Sequence, residues 1–431
     1  MRSTVQLILV SVIFFHFISP SYAQVYEKRF ATNADAVKDT ALKIKKSTSC
    51  NRPSSYLPDS LHPEFTPLRY VRISIHVMQD GKGANNFAGE EGKKYIHQMV
   101  DAANAVMEKN SKMFLPAGNN TAVLRVPFKY VLTGDPKNPD DDGIYFHRDD
   151  SLFCMNKKAT GKQLNNVYDR RPYEQYGFRK DTVINIFLLE HCPDSIKSKT
   201  YKASNDGIGN GAWAKLVGCY HLWKFPVVYE DGTSYPLESW AAAGLFNHEL
   251  GHCLGIQHTW NQDDGCDDTP NNPGCWNFGS PGGCTEVSNN VMDYNAYKNA
   301  YSPCQISKMC LQSYNDKQAR KFLVNDWCTF DESKSMIIQS GETIEWFGSM
   351  DVFGNLIVAN NATLIAHCTV SIPPGGKIIL MPKATLILDG CTITSRCAQP
   401  FEVIEINTRK KTSPVIILKN APKITNVVNA F

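Results

Sequence analysis

The chain has 431 residues, and 45 Lys and Arg against 42 Asp and Glu leave a formal charge of +3. That length accommodates about two or three domains, and the near-neutral balance excludes a nucleic-acid or anionic-membrane field as the basis of recognition. A composition 42% hydrophobic and 20% charged excludes wholesale disorder.

Residues 1–23 read as a secretory signal: Arg2, an apolar run from Val5 to Ile18, then Ser21-Tyr22-Ala23 as a small-x-small cleavage site. The run is too short for a bilayer span and no later segment approaches the needed length, so the mature protein is expected to be soluble and secreted. Fourteen cysteines fit an oxidising compartment. Residues 24–67 are Lys-rich, with helical spacing around Ala34 to Lys46, and then turn-rich. They have little to bury and are expected to form a leader, or prosegment, lying over another part of the chain, or else a flexible tail.

Residues 68–330 change character. Val71, Ile73, Ile75 and Val77 alternate with polar residues, which predicts a half-buried strand. Tyr95, Ile96, Met99, Ala103, Val106 and Met107 keep helical spacing between about Glu90 and Lys109. Strand signals recur at Ala122 to Leu132, where Pro127 argues for an edge or a break, and at Thr182 to Leu189, apolar enough to be central. A second helix is expected from Trp240 to Leu254. The pattern predicts an α/β (α+β) domain with a twisted mixed sheet.

That second helix carries His248-Glu249-Leu250-Gly251-His252-Cys253-Leu254-Gly255-Ile256-Gln257-His258. Residues four apart lie on one helix face, so His248 and His252 supply two ligands to one metal ion. Gly255 can take the left-handed conformation that ends a helix, which lets His258 return as the third. Three imidazoles leave a fourth tetrahedral position of Zn2+ for water, and Glu249 is placed as its general base. Met292 and Tyr294 lie downstream in Asn290-Val-Met-Asp-Tyr294. Tyr294 is a candidate to support the oxyanion.

Beyond Thr329 the chain turns to Thr, Ile, Val and Leu with regular turns. Gly354 to Ala366 aligns with Gly376 to Leu388, and Cys368-Thr-Val with Cys391-Thr-Ile. Such a repeat suits a β-solenoid, with a small β-sandwich hairpin pair as the alternative. Residues 331–431 are therefore expected to be an all-β repeat domain with two clear coils.

The long histidine motif is the metzincin signature. With Cys266-Asp267-Asp268-Thr269-Pro270, the Met-Asp-Tyr element and Tyr301-Ser-Pro-Cys-Gln305, residues 68–328 resemble the pappalysin family of metzincin proteases, especially its secreted bacterial members. The resemblance implies a zinc endopeptidase in which His248, His252 and His258 hold the metal, Glu249 is the base, Met292 forms the Met-turn and Tyr294 stabilises the transition state. It also implies a structural Ca2+ near Asp263, Asp264, Asp267, Asp268 and Thr269, and loop disulfides Cys266–Cys284 and Cys275–Cys304. Cys50, ahead of the catalytic domain, is expected either to cap the zinc as a zymogen switch or to form a plain disulfide. Partners would be protein and peptide substrates, with a surface, glycan or matrix ligand for the β repeat. The rival reading is a binding protein whose zinc is structural and whose chemistry is idle.

Overall fold

The computed structural model describes residues 50–156, 165–197, 206–224, 227–228, 234–235, 238–259, 264–272, 274–279, 284–408 and 412–429. The signal sequence, the helical spacing at Ala34 to Lys46 and Asp263 lie outside them. A seven-stranded mixed sheet is built from β1 (Arg69–Gln79), β2 (Phe128–Leu132), β3 (Ile144–Arg148), β4 (Cys154–Met155), β5 (Ile184–His191), β6 (Asp206–Asn210) and β7 (Trp213–Val217). The path runs β2-β1-β5-β7-β6; β3 extends the β1 edge beyond β2, and β4 pairs with β5. All pairings are parallel except β6 with β7.

β5 is buried along its whole length between β1 and β7, as its mostly apolar run requires. β2 begins just after Pro127, which has no N–H to give a ladder and instead accepts from Arg69 N at 2.9 Å. β1 departs from expectation, because its polar face is buried as well. His76 lies on that face, with Nδ1 2.9 Å from His147 Nε2 and Nε2 3.0 Å from Asn185 Oδ1. Its ring stacks on Phe187 at 4.7 Å. Ser74 and His76 of β1 are thus matched by partners from β3 and β5, a pairing the alternation alone could not reveal.

On the opposite face Val71, Ile73, Ile75 and Val77 pack under α1 (Gly89–Lys109) and α2 (Ser239–Cys253). α1 buries Tyr95, Ile96, Met99, Ala103 and Met107. α2 presents Ala242, Ala243, Phe246 and Leu250 to the same core, and Asn247 Nδ2 donates to the Ala103 carbonyl of α1 at 3.0 Å. α3 (Pro303–Ser313) starts at a capping box in which Ser302 and Gln305 satisfy each other's backbone N–H groups.

The C-terminal part is a parallel β-solenoid with three stacked sheets. Met336–Ile338, Leu356–Val358, Lys377–Leu380, Phe401–Ile406 and Val427–Asn429 form one sheet. Thr343–Trp346, Thr363–Ala366, Thr385–Asp389 and Val415–Lys419 form the second. The repeat read from sequence is the pairing register: Thr363 faces Thr385 and Leu364 faces Leu386. Alternate residues such as Leu356, Val358, Leu364, Ile378, Leu380 and Leu386 fill the interior. Four turns stack, where the repeat predicted two clear ones.

Residues 50–67 do not behave as a segment with little to bury. Tyr56 and Phe65 are both buried, and Phe65 meets Trp346 of the solenoid edge-on at 5.6 Å. The segment is tied there covalently by a disulfide between Cys50 and Cys368. A second disulfide, Cys328–Cys397, links the end of the mixed-sheet part to the coils.

Candidate active site

α2 brings His248 and His252 to one face, four residues apart, and the chain turns at Gly255, whose φ is +91°. A Cβ at Gly255 would also lie 2.7 Å from Gln312 Cγ, so glycine is required there on two counts. His258 returns with its Nε2 3.1 Å from His248 Nε2 and 3.0 Å from His252 Nε2. Nitrogen ligands of one tetrahedral zinc stand about 3.3 Å apart, so the donor set fits a zinc-sized cation.

The rings are oriented from behind. His248 Nδ1 lies 2.7 Å from the Val291 carbonyl and His252 Nδ1 lies 3.0 Å from the Ile256 carbonyl. A carbonyl can only accept, so each Nδ1 carries the hydrogen and each Nε2 offers a lone pair. Burial lowers the proton affinity of all three imidazoles, keeping them neutral as metal ligands must be.

Glu249 is buried beside the histidines, and burial pushes its carboxyl up to about 8 against the pull of Lys298 and the Gly209 N–H. β6 passes directly over it. A Cβ at Gly207 would lie 2.5 Å from Glu249 Oε1, and one at Gly209 1.9 Å from the Glu249 carbonyl oxygen. Only glycine at both positions lets the strand run this close to the helix.

Met292 is fully buried against α2, with its Sδ where a Cβ on Gly251 would be 2.5 Å away. Its turn is fixed by buried amides: Asn290 Oδ1 accepts from Met292 N at 2.9 Å, and Asn290 exchanges two hydrogen bonds with Gln305. Tyr294, half-exposed, lies with its ring 5.0 Å from that of His258 and 5.8 Å from that of His248. Lys298, which the sequence did not single out, places Nζ 2.7 Å from the Asp293 carbonyl and 3.2 Å from His248 Nδ1.

Two expectations need correction. Cys50 cannot cap a metal, because its sulfur is bonded to Cys368 in the solenoid. The loop disulfides are Cys266–Cys304 and Cys275–Cys284, the reverse of the pairing the resemblance implied. The reason lies in the loop ends: Asp268 accepts from Ser302 Oγ at 2.7 Å and Cys304 N at 3.0 Å, which carries Cys304 to Cys266. Asp264 accepts from Cys266 N and from Thr269 Oγ1, so it organises the turn around Thr269 while Asp267 is exposed. These two carboxylates clip the loop at separate points.

A reprolysin-type model of metallo-peptidase family M12 matches residues 70–301, more than half of the chain. The chain belongs to metallo-peptidase family M12. This M12 peptidase is therefore an enzyme that hydrolyses peptide bonds with a bound metal ion. No curated protein sequence matches it. Among solved structures it is similar to mature mirolysin of Tannerella forsythia in complex with a cleaved peptide, at 16% identity and a TM-score of 0.39, over 59% of this chain and 95% of that one. It is also similar to mirolysin in complex with compound 9, at 17% identity and 0.39, over 59% and 96%. A promirolysin variant of Tannerella forsythia gives 17% and 0.36, over 59% and 84%.

Proposed function

We propose that this M12 peptidase is a secreted zinc endopeptidase of pappalysin-like type, with His248, His252 and His258 as ligands and Glu249 as general base. The observation that carries the reading is the approach of His258 Nε2 to within 3.1 Å of both His248 Nε2 and His252 Nε2, beside one buried carboxylate. Bound zinc would polarise the scissile carbonyl and make hydroxide available near neutral pH. Glu249, held between α2 and β6, takes the proton of the attacking water and returns it to the leaving amine. Tyr294 donates its hydroxyl to the developing oxyanion. An extended peptide adds to β6, an edge strand of the sheet, and is positioned by backbone hydrogen bonds.

Export is supported by five disulfides among the described residues and by the secretory pattern at residues 1–23. No described helix is long and apolar enough to cross a membrane. Residues 68–330 form the protease and residues 331–431 the solenoid. The pappalysin-like placement rests on the Asp-Thr-Pro and Met-Asp-Tyr elements.

The test is cleavage of casein and quenched peptides by the purified mature protein, with and without a chelator, beside Glu249→Gln. Internal cleavage that stops on chelation, returns with zinc and is absent from the Gln variant is the expected result. Equal cleavage by the Gln variant, or none by either protein, would favour the rival binding-protein reading.

A further inference from the structure

One half-buried charge beside the histidines makes no ion pair with a described residue. Lys298 follows the Met292 turn, and Asn295 Oδ1 accepts the N–H groups of both Tyr297 and Lys298 at 2.8 Å. The bond fixes Lys298 at φ +34°, in the left-handed region that disfavours a side chain. The stem then crosses α2 at Gly244, where a Cβ would lie 3.0 Å from Lys298 Cβ and 3.4 Å from Cδ. Two local compromises, a lysine at positive φ and a glycine inside the helix, bring this ammonium beside His248.

Its hydrogen bonds are incomplete. An ammonium has three donors, and the Asp293 carbonyl takes one at 2.7 Å. His248 Nδ1, at 3.2 Å, gives its own hydrogen to the Val291 carbonyl and cannot accept another. No carboxylate oxygen of a described residue lies within ion-pair distance of Nζ. The side chain is only partly covered, next to the half-exposed Tyr294 ring, whose centroid is 5.6 Å from Nζ.

Position supplies the other half of the argument. At 100° per residue, Glu249 lies about 100° round the helix from His248 in one direction and Gly244 about 40° in the other. β6 packs over Glu249 and His252, while Lys298 packs over Gly244. Lys298 and the substrate-pairing strand therefore flank the histidines from opposite sides. A peptide held on β6 as proposed above, and crossing the histidines, would direct a side chain past His248 towards Nζ.

We propose that Lys298 sets specificity, pairing its ammonium with the carboxylate of an Asp or Glu next to the scissile bond. This rests on the endopeptidase reading. A carboxylate supplies the acceptors Nζ lacks, whereas Lys or Arg at that position would place like charges together in a poorly solvated pocket.

The experiment is a peptide library, varied at both residues flanking one cleavage site, cut by the zinc-loaded mature protein and read by mass spectrometry. Peptides with Asp or Glu at one flank should be cut at least tenfold faster, in kcat/KM, than those with Asn, Gln, Lys or Arg there. Lys298→Arg should keep the acidic preference, Lys298→Met should erase it, and K298E should move it to Lys and Arg. Chelator-sensitive cleavage without an acidic preference overturns the proposal and leaves the endopeptidase reading standing. A Met variant that slows all peptides equally shows that Lys298 only positions His248 and also overturns it. Absence of cleavage of every library member defeats both readings.

Discussion

Arg69 Nη2 donates to Asp351 Oδ2 at 2.8 Å, joining the first strand of the protease sheet to the first coil of the solenoid through a fully buried ion pair. Arg320 shares that carboxylate, with Nη1 on Oδ2 at 2.8 Å and Nη2 on Oδ1 at 3.2 Å. Burial alone would raise the pKa of Asp351, but the two guanidiniums override it and hold the carboxyl below its usual value. The guanidiniums also lie over aromatic faces, Arg69 over Tyr314 at 4.5 Å and Arg320 over Trp327 at 4.0 Å.

Asp351→Ala would leave two buried cations with no carboxylate between them. Removing one partner of a buried pair costs about 3–5 kcal/mol. Because the triad spans both parts, tryptophan fluorescence and far-UV circular dichroism should both shift to lower urea midpoints. A midpoint within error of wild type would show that the two parts are not energetically joined here.

The Cys50–Cys368 bond closes a loop of 318 residues, and its loss should destabilise the fold rather than release activity. For long loops the restriction of the unfolded chain is worth about 2–5 kcal/mol. Cys50→Ser should lower the melting temperature and leave the peptidase activity of the full-length chain no higher than that of wild type. A variant with normal stability and raised activity would restore the switch idea.

What could be read in advance followed from periodicity. His248, His252 and the core of α1 repeat at helical spacing, and β5 announces itself as a nearly continuous apolar run, so those elements and the three converging imidazoles are legible. The first coil was missed although Thr343 stacks on Thr363 and Thr385, because its neighbours lack the Ala-Thr-Leu signature of the next two coils. Relations between distant segments left no local mark. The polar face of β1 is buried only because His147 and Asn185 meet it, Lys298 matters only beside His248, and the cysteine partners depend on where Asp268 anchors the loop.

Gly209 tests the closeness of β6 to α2. Alanine there would put a methyl 1.9 Å from the Glu249 carbonyl oxygen, a backbone atom that cannot swing aside. The strand must move away from the helix, which would misplace both the proposed base and the edge proposed to carry the peptide. Gly209→Ala should lower kcat/KM by on the order of 100-fold while costing only about 1–3 kcal/mol of stability, the usual range for local overpacking. Zinc content should stay near one per chain. Full activity in this variant would mean that β6 does not form one wall of the catalytic cleft.

Glu190 predicts how stability depends on pH away from the metal site. It lies one residue before the end of β5, buried, with Oε1 accepting from Tyr220 N at 3.0 Å and His221 N at 3.3 Å, while Oε2 has no hydrogen-bond partner. Burial pushes its carboxyl up to about 8, against the pull of those two N–H groups. The folded chain therefore holds this proton more tightly than the unfolded chain. The contribution is fully present below the unfolded pKa of about 4.5 and is lost as pH rises through the folded value. Glu190→Gln keeps the accepting oxygen and cannot ionise. Melting temperatures of the two proteins should agree near about pH 5 and separate above it, with the Gln variant more stable by several kcal/mol at about pH 9. Parallel curves across that range would mean that Glu190 is already ionised in the folded protein at neutral pH.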